Sequence, residues 1–316
     1  MKSMFLAAAF VAASTLAASA FPDKEIQLLI PFPAGGGTDA IGRVLANGLE
    51  KELGKPVIVI NRVGGAGVLA HNEVANAEPD GHTIALIAVD LVTFKWLGMA
   101  DLTYRDVTPV ALINTDAATF TVSADSKWAD MKAALAAIKE APSQTYSIAS
   151  LAGSGNYTAV ASLLLADGTE PGKLLAIPQS AAPGLLELAA GGVDIAPFSL
   201  SETRAMMDAG KVKPLVVFSS ARVPGFDDVP TAAEATGYDI VGGTWRGIAA
   251  PKGTPDAVRD QLEAAVKKVW ESDEFQSFMK ERSFGLTWMG HEEFTAFMDS
   301  QEKQFGTVLE SIGLKK

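Results

Sequence analysis

The chain has 316 residues, of which 26 are Lys or Arg and 37 are Asp or Glu, no cysteine, and a formal net charge of −11. The absence of cysteine excludes disulfides, thiolate metal sites and lipid attachment through a thiol. The acidic balance argues against nucleic-acid binding, because phosphate contacts supply most of that affinity. Local amide dipoles and one or two Arg side chains can still bind a small anion.

Residues 1–20 have the pattern of a secretory signal peptide. Lys2 precedes a short apolar stretch, and the small residues 18–20 form a cleavage site. The apolar stretch is short for a membrane span. We therefore expect cleavage after Ala20 and a mature, periplasmic protein that begins at Phe21.

The next stretch predicts a strand, a glycine turn and a helix. Residues 26–30 are apolar, residues 35–37 are three consecutive glycines, and apolar residues recur at helical spacing over 41–53. Thr38 or Asp39 is expected to cap the helix. Glycines let a ligand approach the backbone, and the first helical turn has unpaired N–H groups, so the loop is a candidate anion site. The alternative is a tight turn in which the glycines serve only the geometry.

The same alternation continues along the chain. Apolar strands are predicted at 56–60 and 83–89, a glycine-rich exit around Gly65 leads into another helix, and Asp90 follows the third strand. Regular alternation of strands and helices predicts a parallel sheet with helices on both faces, in which ligands bind beyond the carboxyl ends of the strands. We therefore expect residues 34–39, Gly65 and Asp90 to converge on one region.

A second series repeats the first motif. A strand at 146–149 runs into a loop of glycine and hydroxyl residues at 153–158, which is followed by a helix predicted at 159–165. A ligand held between the two halves would therefore meet two helix amino ends, each with a partial positive charge.

The remaining pattern predicts two domains. Further strands are expected at 174–177, 193–198, 215–219 and 244–250. No linker rich in Gly, Ser or Pro separates two halves, so we expect the chain to cross between domains near 121–125 and again near 244–250. The first domain is then discontinuous, 21–122 plus 249–316, and the second comprises 123–248.

Six segments carry a family pattern: PFPAGGGTDAIGR at 31–43, VIVINRVGGAGVLAHNEVANAEPDGHT at 57–83, VSADSKW at 122–128, LAAGGVDIA at 188–196, VPTAAE at 229–234 and WRGIAAPKGTP at 245–255. They resemble the substrate-binding proteins of tripartite tricarboxylate transporters, also called Bug-type receptors. The resemblance covers essentially the whole mature chain in order. It implies an α/β fold, the two-domain clamshell of type II periplasmic binding proteins, with two crossover strands and a ligand cleft between the lobes.

The resemblance also implies a function. Such a receptor binds a small organic carboxylate, either a di- or tricarboxylate or a related acid, and delivers it to a membrane permease of the same transporter type. It implies a monomer without catalysis, cofactor or metal. The sequence does not name the acid, because backbone amides recognise a carboxylate whatever it is attached to.

In the family, the first loop binds a ligand carboxylate through backbone amides and bridging water, and the loop that opens the second domain holds the other end. The first loop corresponds here to residues 33–39, with the candidates Ala34, Gly35, Gly36, Gly37, Thr38 and Asp39, and the second to Gly153, Ser154, Gly155, Asn156, Tyr157 and Thr158. Apart from the resemblance, Gly65, Asp90 and Ser199 are candidate lining residues because they follow predicted strands. Two departures from the family pattern leave undetermined which chemical group the ligand carries at the end that the second loop holds. Ala159 stands where members often have His, and Gln179 lies in a segment that usually reads Val-Pro-Tyr-Lys-Gly.

Catalysis has little support in the sequence. His71, His82 and His291 are scattered and are expected to be surface or capping residues. Ser154 lies between glycines but lacks the spacing of a nucleophile elbow. A third function class, a structural or adhesive secreted protein, leaves the repeated glycine loops without a role.

The alternative from another class is an exported dinucleotide-binding oxidoreductase. The glycines of the first loop fit a relaxed dinucleotide fingerprint, and Arg62 could face a 2′-phosphate, although Asn61 replaces the acidic ribose ligand. Two neighbouring residues are also of interest. Trp245 is expected in core or hinge packing. For Arg246 two positions stay open, one facing the cleft and one in a surface ion pair.

Overall fold

The computed structural model describes residues 21–150, 154–179 and 181–313, so the expected signal peptide and Gly153 lie outside the described residues. The strands are β1 Ile26–Ile30, β2 Val57–Asn61, β3 Thr83–Ala88, β4 Val107–Ala117, β5 Thr119–Ser123, β6 Tyr146–Ala149, β7 Leu174–Ile177, β8 Val212–Val217, β9 Gly243–Pro251 and β10 Met289–Gly290. The α-helices are α1 Gly37–Leu53, α2 Val68–Ala75, α3 Met131–Glu140, α4 Gly155–Ala166, α5 Ala181–Ala190, α6 Leu200–Asp208, α7 Ala232–Thr236, α8 Asp256–Glu271, α9 Asp273–Glu281 and α10 His291–Ser311. Within the described ranges, none of the helices combines the length and apolar character needed to cross a bilayer.

A six-stranded sheet in the order β10-β4-β9-β3-β1-β2 forms the first half of the molecule. β1 pairs in parallel with β2 and β3, as the sequence predicts. β9, for which the sequence pattern predicts no direction, pairs antiparallel with β3 and β4. The physical reason is the chain path. The chain leaves this sheet at the carboxyl end of β4 and re-enters it at the same end of the sheet as β9, so the two neighbouring strands run in opposite directions.

Helices cover both faces of the large sheet. On one face, α1 buries Ile41, Leu45 and Leu49 at intervals of four residues, against a core that includes residues of α8 and α9. Fully burying each such side chain contributes about 1.5–3 kcal/mol. Gly42 lets this helix lie close to β1, since a Cβ there would be 2.4 Å from Ile30 Cδ1. The packing fixes the start of α1 beyond the carboxyl end of β1.

The second half of the molecule contains two small sheets. β5 pairs antiparallel with β8, and β6 pairs in parallel with β7. A strand was predicted at 193–198, but this segment makes only isolated bridges, from Ile195 to Ile148 and from Ala196 to Thr121. Pro197 follows and has no N–H to extend the ladder.

Two adjacent chain passages connect the halves. β4 ends at Ala117 and β5 begins at Thr119 in a different sheet, while β9 brings the chain back. The passages touch, because Ala118 N donates to Gly242 O at 2.9 Å. The next residue, Gly243, has a positive φ of 150° and packs so tightly that a Cβ would lie 2.3 Å from Asp116 O. The predicted domain boundaries themselves stay a prediction.

Candidate ligand-binding cleft

A cavity of about 840 Å³ separates the two halves of the molecule. Its walls come from the loop before α1, from the starts of α4 and α6, and from β4, β9 and the segment after α9. The lining residues are Phe32, Pro33, Ala34, Gly36, Gly37, Thr38, Asp116, Ser150, Ser154, Asn156, Gln179, Ala181, Phe198, Ser199, Ser201, Glu202, Thr244, Arg246, Arg282 and Phe284.

The start of α1 presents unpaired amides to this cavity. Its N-cap, Gly36, has no side chain to accept a hydrogen bond, and the first helical bond runs from Ala40 N to Gly36 O at 2.9 Å. The N–H groups of Gly37 and Thr38 therefore have no intrahelical acceptor. The expectation that Thr38 or Asp39 caps the helix is wrong, because α1 begins at Gly37 and both residues lie inside its first turn.

The starts of α4 and α6 also face the cavity, but a serine caps each of them. Ser154 Oγ accepts from Tyr157 N at 3.3 Å. Ser199 Oγ accepts from Glu202 N, and the Glu202 carboxylate accepts from Ser199 N at 3.0 Å. The two bonds form a capping box. The α4 cap also corrects the sequence prediction, since the helix begins at Gly155 rather than at residue 159.

Arg246 of β9 forms a buried network next to the start of α1. Its Nε donates to Thr38 Oγ1 at 2.9 Å, and its Nη1 donates to Asp116 Oδ2 at 2.7 Å and to Asn114 Oδ1. The side chains of Arg246 and Asp116 are only 14% and 5% exposed. Nη2 makes no hydrogen bond within the described residues and would lie 3.8 Å from a Cβ on Gly37. One edge of the guanidinium is therefore free beside the unpaired amides.

A smaller cavity of about 130 Å³ lies against the first. Asp90 lines it from the exit of β3, and Asn156 lines it from the first turn of α4. Asn156 is 9% exposed, and its Oδ1 has no hydrogen-bond partner among the residues that the structure describes. Burial raises the pKa of Asp90 to about 6, and hydrogen bonding to its own backbone N–H and the charge of Arg246 oppose that rise only in part.

Asp39 differs from Asp90 because both of its carboxylate oxygens accept hydrogen bonds from other residues. Its Oδ2 accepts from Arg43 Nε at 2.9 Å and from Gly35 N at 2.8 Å, and its Oδ1 accepts from Asn61 Nδ2 at 2.9 Å. These bonds, first of all the one from Arg43, lower the pKa of Asp39 to about 2. Asp39 thus holds the glycine loop in place through Gly35, from the side that does not line the cavity.

The comparison with protein families identifies the molecule. The model of the tripartite tricarboxylate transporter family receptor, TctC, matches residues 41–314. The chain belongs to this receptor family. It is therefore a solute receptor of a family whose members are periplasmic and non-enzymatic, as the motifs in the sequence indicate.

Individual relatives agree with the family and confirm the type II clamshell fold. The chain is 37% identical over 255 residues to the UPF0065 protein in the tcbD-tcbE intergenic region of Pseudomonas sp. strain P51, covering 79% of this chain and 74% of that one. It is 34% identical to a TctC solute binding protein from Polaromonas, with a TM-score of 0.81 over 92% of this chain and 99% of that one. MatC from Rhodopseudomonas palustris, solved with bound malate, is 25% identical to this chain. Its TM-score is 0.74, over 92% of this chain and 100% of that one.

The receptor brings together most of the site residues predicted from its sequence. Those that line the two cavities are Ala34, Gly36, Gly37, Thr38, Asp90, Ser154, Gly155, Asn156 and Ser199. Gly35 and Asp39 line neither cavity, and Gly35 N donates a hydrogen bond to Asp39 Oδ2. Gly65 lies in an exposed turn after β2. Tyr157 and Thr158 are 3% and 2% exposed and point into the packing around α4, where burial raises the pKa of Tyr157.

Three further polar residues lie at the cleft, one of which the sequence reading left undecided and two of which it did not select. Arg246 faces the cleft, within a buried ion pair rather than a surface one. Asn114 and Asp116 were missed because the sequence pattern predicts a strand over 107–114 only, whereas β4 continues to Ala117. A signal was available, since these two polar residues alternate onto one face of a largely apolar strand, and Arg246 interrupts a second one. Buried groups of opposite charge in neighbouring strands are usually paired.

The histidine prediction is wrong at two positions, because His82 is only 9% exposed and His71 is not exposed at all. His71 is fully buried rather than a surface or capping residue, and its Nδ1 lies 2.7 Å from Gly67 O. Burial lowers the pKa of His71 to about 4, so the ring is neutral. The contacts considered for a dinucleotide are also engaged elsewhere: Asn61 donates to Phe32 O at 3.0 Å, and Arg62 pairs with Glu73 at 2.8 Å.

Proposed function

We propose that the large cavity binds a small organic carboxylate at the uncapped start of α1. The observation that carries this proposal is the pair of unpaired amides at Gly37 and Thr38 beside the free edge of Arg246. A buried carboxylate is stable only when its oxygens accept hydrogen bonds, and charge-assisted bonds to a guanidinium are the strong ones. The relative MatC was solved with malate, a four-carbon dicarboxylate, which supports this ligand class.

Closure of two lobes is part of the proposal. We assign the lobes to residues 21–122 plus 249–316 and to 123–248, with the adjacent passages at Ala118 and Gly242 as the hinge. A ligand that touches the starts of both α1 and α4 binds the closed form more tightly than the open form. That difference in affinity is what shifts the population towards closure.

The receptor's biological setting follows from the same proposal. The signal peptide is cleaved after Ala20, and the mature monomer works in the periplasm and delivers its ligand to a tripartite tricarboxylate-type permease. It performs no chemistry on the ligand and needs no cofactor. In support, Ser154 Oγ is engaged by Tyr157 N and by Ser150 Oγ at 2.9 Å, and none of the described histidines lines either cavity.

Gly37→Val tests the proposal. A Cβ at this position would lie 3.2 Å from Phe284 Cζ and close to Arg246 Nη2, so the branched methyls occupy the space between amides and guanidinium. The backbone is helical, which valine tolerates. We expect the affinity for the bound carboxylate to fall about 100-fold or more in isothermal titration calorimetry, which is about 3 kcal/mol.

Gly172→Val is the matched control, because a Cβ on Gly172 meets no atom within 4 Å. It should bind as the wild type does. Calorimetry of residues 21–316 against di- and tricarboxylates, acidic amino acids, aromatic acids and NAD(P) names the ligand class. A folded Gly37→Val protein with unchanged affinity, or a wild type that binds NAD(P) alone, would contradict the proposal.

A further inference from the structure

The smaller cavity is lined by two side chains whose oxygens accept no hydrogen bond from the side chain of another described residue. Asn156 Oδ1 is buried and has no partner within the described ranges, and the Asp90 carboxylate is bonded only to its own backbone N–H. The two residues come from opposite halves of the molecule, from the exit of β3 and from α4. Both line the same 130 Å³ of space.

The charges around this cavity leave one negative charge without a partner. Arg246 is the cation nearest to Asp90, but its Nη1 and Nε are bonded to Asp116, Asn114 and Thr38. Arg246 and Asp116 neutralise each other, so the charge on Asp90 remains. Leaving a partly buried carboxylate without a donor is costly, and a cationic donor from a ligand would remove that cost.

The small cavity adjoins the large one. The two share the lining residues Phe32, Thr38, Ser154, Asn156, Thr244 and Arg246. A group of the size of a water molecule, which occupies roughly 30 Å³ of liquid, fits easily in the small cavity. A ligand held at the start of α1 can therefore place a small polar group beside Asp90 and Asn156.

We propose that Asp90 and Asn156 form a subsite for an ammonium group of the ligand, so that the receptor selects amino acids over the corresponding unsubstituted acids. This inference rests on the proposed function, because the carboxylate of the same ligand lies at the start of α1. Asp90 supplies the charge, and Asn156 Oδ1 supplies a second acceptor from the opposite lobe. The subsite is therefore complete only when the lobes are closed.

Matched acids of the same carbon skeleton test the inference by calorimetry near neutral pH. The series are succinate, malate and aspartate; glutarate, 2-hydroxyglutarate and glutamate; and propionate, lactate and alanine. In the series whose length fits, we expect the amino acid to bind about 100-fold more tightly than the unsubstituted acid, with the hydroxy acid between them. Equal or tighter binding of the unsubstituted acid overturns the inference and leaves the proposed function intact. No binding by any of these acids to folded protein overturns the inference, and the proposed function falls with it only if the tricarboxylates and aromatic acids also fail to bind.

Variants separate the subsite from general effects on the cleft. Asp90→Asn should remove most of the preference for the amino acid while keeping the affinity for the unsubstituted acid. Asn156→Ala should reduce the preference less, because it removes an uncharged acceptor. Asp101→Asn, at a carboxylate that is 91% exposed, is the control and should bind as the wild type does. An unchanged preference in folded Asp90→Asn protein overturns the inference.

Discussion

The two loops that open α1 and α4 share a strand, glycine and helix pattern, yet they differ in the cap of the helix that follows. Gly36 provides no side-chain cap for α1. Ser154 Oγ accepts from Tyr157 N, the third amide of α4, while the first two amides of α4, like those of α1, have no intrahelical acceptor. The α4 loop also presents Asn156 Oδ1, an acceptor without a partner among the described residues. One cap residue therefore decides whether the third amide of the helix is satisfied within the chain or left unpaired.

The acidic residues beside the two loops repeat this contrast. Asp39 is bonded to Arg43, Gly35 and Asn61 and has its pKa lowered to about 2. Asp90, which faces the start of α4, has its pKa raised to about 6 by burial. In the site that we propose, satisfied polar groups form the scaffold, and a ligand would supply partners to the unsatisfied groups that line the cavities.

Gly36→Asp should break the contrast most strongly, because it gives α1 the cap that it lacks. The N-cap backbone is extended, with φ −78° and ψ 169°, and the nearest atom to a new Cβ is Pro33 O at 3.6 Å, so the side chain fits. Its carboxylate would accept from the amides of the first turn and occupy the place of the ligand. We expect affinity for organic acids to fall about 1000-fold, or about 4 kcal/mol, in calorimetry.

Gly36→Ala is the matched control, since it adds the Cβ without an acceptor. It should lose about tenfold or less in affinity, that is about 1.4 kcal/mol. The melting temperature of Gly36→Asp should be no lower than that of Gly36→Ala, because the aspartate caps the helix. If Gly36→Asp retained wild-type affinity, the ligand carboxylate would have to bind elsewhere than at these amides.

The sequence predicts the local parts of this cleft better than its long-range parts. The strand at 26–30 and the donor loop after it follow from neighbouring residues alone, since apolar runs, glycines and helical spacing are local signals. The pairing of Arg246 with Asp116 joins residues 130 positions apart, and Phe284 reaches Gly37 from a third segment. Such contacts are set by strand order, which no local pattern specifies.

The same limit explains the errors in the second half. Residues 155–158 were assigned to a loop because Gly and Asn disfavour helix interiors, whereas the Ser154 cap and the packing of Tyr157 start α4 there. That Asn156 Oδ1 would be left without a donor depends on which side chains approach from β3 and β9. It becomes visible only when both halves are placed together.

Stability as a function of pH sharpens the contrast between Asp39 and Asp90. The folded-state pKa of Asp90 is about 6 against a usual value of 3.8, so the folded protein binds more protons than the unfolded chain between these values. The unfolding free energy of the ligand-free protein therefore falls as pH rises from about 4 to about 6. The fall contributed by Asp90 is about 3 kcal/mol at most.

Denaturant unfolding of wild type and Asp90→Asn over this pH range measures that contribution as the difference between the two curves. Asp39 contributes with the opposite sign and at lower pH, since its stabilising effect is lost as pH falls towards about 2, and it cancels in the difference. Asp101→Asn should give a curve parallel to the wild type. A difference that does not change with pH would mean that Asp90 is well solvated in the free protein.

Ser154→Ala should have the smallest effect, because it only makes α4 resemble α1. Loss of the bond from Tyr157 N to Ser154 Oγ leaves one amide unpaired and should lower the unfolding free energy by about 1 kcal/mol. Ser272→Ala removes the same kind of cap from α9, where Ser272 Oγ accepts from Phe275 N at 3.3 Å away from the cleft, and should cost a similar amount. Only Ser154→Ala should also change acid binding, since Ser154 lines both cavities. Equal binding by the two variants would mean that the start of α4 contributes the Asn156 side chain to the ligand and no backbone donor.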